Sequence, residues 1–370
     1  MRAETALTIL AGALLLAATP ASPRTWYVKP DSTGDAPTIQ AAIDSASPGD
    51  SVLLANGTYL GDRNRDIEFR GKRVTVRSES GDPQLCIINC REPDHHAGRG
   101  FLFSSGEGPE SILEGVTVTL GYRGMGGYGG GILCSGSSPT IRKVRLLNNT
   151  ASGGGGMACE YGAHPCLSDV TFLSNYAEGL SGGGLLCRGE SSPTLTDVVF
   201  ALNNAGFLGF GGGLSCIEGS SPVLNGVTFQ ENFGDVGGGG IYCSGSSPSL
   251  TSVGFYGNRS SGTTPPAHGG GGMLCANGSA AVLTHCTFTD NGAITSGGGL
   301  WCNTGSDAML TYTSFYRNSA EYGGGVNCDD SSPTLVNCTL FGNAATVAGG
   351  GVFCWRASPT VQNTIIASSA

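Results

Sequence analysis

The side chains able to do chemistry in this sequence fall into three sets, and each set needs a different kind of positioning. Carboxylates beside a base or a cation could do acid–base work on a scissile bond. Clustered thiols could pair or hold a metal, and aromatics spaced along a rigid surface could stack on sugar rings or meet another protein. Charged residues make up only 13% of the chain and lie mostly between Asp31 and Arg123. The densest polar group, Arg91-Glu92-Pro93-Asp94-His95-His96 with Arg99, reads as solvated loop, and Asp329-Asp330 is an isolated pair at a corner. Neither a Cys-x-x-Cys pair nor a Gly-Gly-x-Gly-x-Asp calcium repeat occurs. The sequence therefore assigns no catalytic residue, no metal and no cofactor.

Composition narrows the partners. With 28 acidic residues against 19 basic ones and a net charge of −9, the chain has no basic surface to neutralise phosphates, so nucleic acid is a poor candidate partner. Glycine supplies 63 of 370 residues, which is too few for collagen, and a hydrophobic fraction of 39% argues against disorder. Arg2 precedes an apolar run over residues 6–18 and then Thr19-Pro20-Ala21, the pattern of a secretory signal peptide covering residues 1–21. That run is too short to span a membrane, and no later stretch approaches the roughly 20 apolar residues that a span requires. The mature chain is expected to be exported.

Repeats supply the elements that must position any site. The pattern Gly-Gly-Gly, apolar, any, Cys recurs nine times, at Cys134, Cys159, Cys187, Cys216, Cys243, Cys275, Cys302, Cys328 and Cys354, with spacings of 25 to 32 residues. Each Cys is followed by Ser-Ser-Pro or a relative and then by apolar-x-x-Val-x-Phe-x-x-Asn. Eight units close on Asn149, Asn175, Asn203, Asn232, Asn258, Asn291, Asn318 and Asn343. From Cys to Asn the distance is always 15 or 16 residues, whereas from Asn to the next Cys it runs from 10 to 17. One part of every unit follows a fixed path and one corner tolerates insertion, as per-repeat loops do on one face of a solenoid.

Within the fixed part apolar residues alternate, Ile241 and Cys243 on one face and Tyr242 on the other, so the segments are short strands and not helices. Coils of about 27 residues with two or three short strands define an all-β parallel β-helix solenoid, rungs about 4.8 Å apart. Pro37-Thr38-Ile39-Gln40-Ala41-Ala42-Ile43 offers an N-cap hydroxyl and a short amphipathic helix to cover the first coil. Residues 26–123 read as cap and irregular first coils, residues 124–370 as the nine Gly-Gly-Gly coils, and 26–370 as one continuous domain. A run of three glycines is sensible only where the chain turns sharply and coils approach too closely for a Cβ.

The segments Thr38-Ile39-Gln40-Ala41-Ala42-Ile43-Asp44, Gly49-Asp50-Ser51-Val52-Leu53-Leu54 and Asn56-Gly57-Thr58-Tyr59 resemble the opening of right-handed parallel β-helix proteins of the pectate-lyase-like superfamily. The Gly-Gly-Gly-apolar and Phe-x-x-Asn units are similar to repeats of chlamydial polymorphic outer membrane proteins. Together the resemblances cover nearly all of the mature chain and imply a right-handed helix that is secreted or held at the cell surface, associated with an outer membrane. They also imply that any catalysis would need clustered carboxylates with Arg or Lys, acting by calcium-aided elimination or by acid–base hydrolysis of polysaccharide. Since the scaffold carries both enzymes and adhesins, a structural, adhesive or recognition role stands beside a carbohydrate-active enzyme.

Fourteen cysteines in an exported chain invite disulfides, but nine at one inward position should form a ladder of buried thiols instead. Cys286 and Cys338 replace the repeat Val and share that packing role, while Cys86 and Cys90 could pair locally. The corner Asn residues read as a structural ladder, in which each amide bonds the amides above and below and the backbone is left-handed. The outward position between the Gly block and Cys is Leu133, Leu186, Tyr242, Leu274, Trp301 or Phe353 in six of nine coils. With Phe207, Phe210 and Phe233 of the variable corner, and the insertion from Arg259 to His268 with Pro265-Pro266, this apolar stripe is the candidate surface for a glycan or a surface protein. Loops folding over it would instead make it a second, minor core. The ninth coil has Ser369 where Asn belongs and ends at Ala370, so a further segment or a partner is expected to cover that end.

Overall fold

The computed structural model describes residues 22–91, 98–261 and 269–369. The signal-like segment, Glu92 to His96 of the polar group and Pro265-Pro266 of the long insertion lie outside these residues.

Alternation every second residue, interrupted by Gly and Ser-Pro corners, leaves strands too short to pair with anything except their equivalents one coil away. Three long parallel sheets result, of 13, 12 and 11 strands, together with two short ones of 3 and 5 strands at the variable corner, giving about 12 turns. Inward positions name the long sheets. The leucine sheet stacks Leu195, Leu224, Leu250 and Leu283 in register, and the phenylalanine sheet stacks Phe172, Phe200, Phe229, Phe255, Phe288 and Phe315. Successive rings in that second column lie 4.3 to 5.1 Å apart and nearly parallel, since the rung spacing equals an aromatic stacking distance.

The cysteine sheet pairs Cys134 with Cys159 and continues without a register shift to Cys354. All fourteen cysteines are free thiols. Burial pushes the thiols of Cys134, Cys187 and Cys216 far above the ordinary range, so they pack as small apolar groups. Cys354 keeps the register of the column but, unlike the thiols before it, is exposed on the last described rung. Cys86 and Cys90 do not pair: Cys86 opens the strand Cys86–Asn89, and four extended residues place the two thiols about 13 Å apart. Cys286 and Cys338 are buried in the Val position, as expected.

The asparagines form an unbroken internal ladder. The Asn232 Nδ2 donates to Asn258 Oδ1 at 3.0 Å, and Asn258 Nδ2 donates to Asn291 Oδ1 at 2.9 Å; each side chain also reaches a backbone carbonyl, as Asn258 Nδ2 does to Phe229 O. The left-handed residue is not the Asn but the one before it, for instance Glu231 at φ 51° or Asp290 at 56°. The turn is taken one residue early so that the amide itself can face inward. The glycine corner also follows the expectation: Gly238 has φ +62°, and a Cβ on Gly239 would stand 2.4 Å from Arg259 O.

The helix Ile39–Ser45 covers the first coil, its Ala41 N–H donating to Thr38 Oγ1 at 3.2 Å, with Ile39, Ala42 and Ile43 buried against the core. Asp50 ties the first strand down. Its carboxylate accepts from the backbone N–H groups of Arg24 (2.7 Å) and Ser47 (2.9 Å) and from Trp26 Nε1 (3.2 Å).

Candidate functional site

The corner between Asn and Gly-Gly-Gly does not simply turn. It runs out as an extra column of parallel bridges, Ser181, Phe210, Gly237, Gly269, Ser296 and Tyr322, standing beside the outward face of the cysteine sheet. Glycine in that column lets outward side chains nest beneath it: a Cβ at Gly237 would stand 2.5 Å from Leu274 Cδ2, and one at Gly269 2.7 Å from Trp301 Cε3. The apolar stripe is therefore partly a minor core. Leu186 and Leu274 are buried and Trp301 is 5% exposed, whereas Tyr242, Phe353 and Phe210 are half-buried. Phe210 stacks on Tyr242 at 4.4 Å, and Phe207, 75% exposed, stands apart from both.

What remains open between the two columns is a row of separate depressions. From Leu186 to Phe353 it crosses seven rungs, roughly 29 Å at about 4.8 Å per rung. Three depressions lie along it. The first, about 310 Å³, is lined by Tyr128, Ser152, Leu186, Arg188 and Glu218; the second, about 300 Å³, by Phe210, Tyr242, Asn277 and Asn303; the third, about 330 Å³, by Tyr322, Asn327, Asp329, Phe353 and Trp355.

Some polar atoms beneath this surface lack partners. Ser215 Oγ, Trp301 Nε1, Asn303 Oδ1 and Asn327 Oδ1 are buried and make no hydrogen bond. Each such group costs free energy unless something binds it. The charges are mostly balanced or neutralised. Arg188 lies over the Tyr128 ring at 4.9 Å and pairs with Glu218 at 3.4 Å. Burial pushes the Glu160 carboxyl up, and burial followed by the neighbouring Asp330 does the same for Asp329. Asp329 is not at a corner: it closes the strand Val326–Asp329 and faces outward, Asp330 taking the turn at φ 47°.

Asn303, Asn327, Asp329, Arg188 and Trp355 carry the groove's polarity and were not singled out as ligand positions from sequence. The signal was present, since in x-Cys-x the residues on both sides of an inward Cys must point outward. Arg99, expected in solvated loop, is only 8% exposed. Burial and the nearby Arg123 lower its pKa to about 10, and its backbone N–H donates to Asp66, the carboxylate that also pairs Arg123. No group of three or more His, Cys, Asp or Glu side chains is placed to hold a metal ion among the described residues.

These coils are those of a right-handed parallel β-helix. The sequence matches the family described as right handed beta helix region over residues 56–254, 130–307 and 211–369, and the chain belongs to that family. No curated protein matches it significantly. Among solved structures it is similar to pectate lyase Pel9A, with 13% identity over 91% of this chain and 78% of that one and a TM-score of 0.46. It is also similar to the GH136 lacto-N-biosidase from Eubacterium ramulus (11%, 91% and 68%, 0.34) and to the family 28 exopolygalacturonase of Yersinia enterocolitica (10%, 94% and 78%, 0.24). At these identities the likeness is one of fold.

Proposed function

We propose that the protein is a secreted or surface-displayed recognition β-helix that holds an extended glycan in the groove along its cysteine sheet. The observation that carries this reading is the row of depressions beside the outward face of the cysteine sheet, where half-buried rings, Tyr242 with Phe210 and Phe353 with Tyr322, stand next to Asn277, Asn303 and Asn327. Sugars present apolar ring faces and hydroxyl edges together, and a surface offering both aromatic planes and polar side chains complements them. Depressions spread over roughly 29 Å give several sugar units separate places to rest. Tyr242→Ala is expected to weaken retention in glycan affinity electrophoresis at least fivefold while leaving the melting temperature within a few degrees. Unchanged retention for both Tyr242→Ala and Asn327→Ala would remove the groove from consideration.

Cleavage of the bound chain is the second reading, and one observation favours it: the half-buried Glu160 carboxyl, pushed up in pKa by burial, lies close to the Arg188–Glu218 pair, where a protonated carboxyl could act as a general acid. The test is the appearance of new reducing ends or unsaturated products from a polysaccharide panel, lost in Glu160→Gln.

A further inference from the structure

We propose that the first depression is a subsite for a 6-deoxyhexose, a pyranose that carries neighbouring hydroxyls on one edge and a methyl group on the other. The inference rests on the glycan reading and adds to it the class of sugar unit.

The depression, about 310 Å³ and at the small end of ligand pockets, is graded from charge at its rim to apolar surface at its base. It lies within the array, since the strand Leu185–Cys187 has paired neighbours on both sides. In register Cys187 lies beside Cys216, so Arg188 and Ile217, each one residue further on, share an outward column about 4.8 Å apart. Depth follows from exposure. The Glu218 side chain is 51% exposed and that of Arg188 29%, whereas Ile217 is half-buried and Leu186 buried. The far wall is backbone: a Cβ on Gly153 would stand 3.0 Å from Leu186 Cδ2 and 3.2 Å from Tyr128 Cδ1, so the chain approaches both closely and adds no side chain of its own.

The rim suits two adjacent hydroxyls. Arg188 and Glu218 meet through a single contact of 3.4 Å between partly exposed groups, a weak pair that leaves most guanidinium N–H groups and carboxylate lone pairs available. Tyr128, its ring centre 4.9 Å from the guanidinium carbon, holds Arg188 in place. One sugar hydroxyl can then accept from Arg188 while its neighbour donates to Glu218. A carboxylate uses only the first half of this arrangement and sets a like charge beside Glu218. The base suits a methyl group. Among the described residues no polar side chain is left there to bond a hydroxyl: the Ser152 hydroxyl already accepts from the Gly126 N–H at 2.7 Å and donates to Gly124 O at 3.3 Å, and Ser181 is buried. A hydroxymethyl group turned inward loses water without gaining a partner, whereas a methyl group covers Ile217.

The test is ligand-observed NMR titration of the full chain with methyl glycosides in matched pairs that differ only at C6: L-fucoside with L-galactoside, L-rhamnoside with L-mannoside, and D-quinovoside with D-glucoside. In at least one pair the 6-deoxy sugar is expected to bind roughly tenfold more tightly. Ile217→Ser copies Ser244, which stands beside it one rung on, and should bring that preference below threefold. Glu218 has φ 55°, so Glu218→Gly removes the rim acceptor without backbone strain and should weaken both members of the pair. Melting curves establish that each variant is folded, and Ile217→Thr, which keeps the β-branch, replaces the serine variant if it is not. No preference in any pair overturns the proposal, as does a preference unchanged in the folded Ile217 variant or binding unchanged in Glu218→Gly. If that happens while long glycans are still retained in a Tyr242-dependent way, the glycan reading stands without this subsite. If neither single sugars nor long glycans bind, both fall.

Discussion

At the scale of single residues, buried polar side chains divide by whether they are satisfied. The corner asparagines are, each giving and receiving along the ladder, and their role is structural. Asn258→Ala leaves the Asn232 amide without its acceptor and Phe229 O without its donor. It should therefore lower stability by about 2–4 kcal/mol in urea unfolding, with glycan affinity unchanged. Asp50 is satisfied in the same way: the Arg24 N–H first, then the Ser47 N–H, hold its carboxyl below the ordinary carboxylate range despite its burial. A depressed carboxylate contributes stability above its unfolded pKa of about 3.9, and that contribution is lost as pH falls through the lower folded value. Asp50→Asn should therefore be less stable than wild type at pH 7, and the difference should shrink below pH 3; a constant difference across that range would show that the carboxylate charge is not what matters.

At the scale of elements, two kinds of glycine do different work, and substitution separates them. Gly245 has φ +57° and open space around it, the nearest atom to an added Cβ being Asn277 O at 3.9 Å. Gly240 has an ordinary φ but no room, with Gly272 O 2.5 Å and Phe255 Cδ1 2.9 Å from that Cβ. Gly245→Ala should cost about 1–2 kcal/mol, the penalty of left-handed backbone, while Gly240→Ala should force adjacent rungs apart and cost more than about 3 kcal/mol. Equal losses in thermal unfolding would mean that the close approach between coils is not a constraint. The corner glycines 237 and 269 belong to the second kind, and there the missing Cβ shapes the outward surface as well as the packing: it lets Leu274 and Trp301 sink, while Tyr242 and Phe353 stay half-buried.

At the scale of the molecule, every coil touches only its neighbours, so the column of thiols is covered along its length. Of the fourteen cysteines, Cys166 and Cys354 are exposed and the other twelve are buried. A thiol reagent added to native protein should therefore label two groups within minutes, and all fourteen only after unfolding without reductant. Fewer than twelve in the unfolded, unreduced chain would replace the thiol ladder with disulfides.

Much of this architecture was legible in order of residues alone. The constant Cys-to-Asn distance set the fixed path, the alternation around Ile241 and Cys243 set the inward face, and Thr38 marked the cap, because these features depend on spacing along the chain and recur in every coil. The groove was not legible in the same way. Whether Trp301 is open or buried depends on Gly269, more than 30 positions before it, and the pairing of Asn303 with Asp329 exists only through rung register. Periodicity determines which side chains point out; only the stacked structure decides which of them a neighbouring column covers, since that depends on contacts between residues separated by a whole coil.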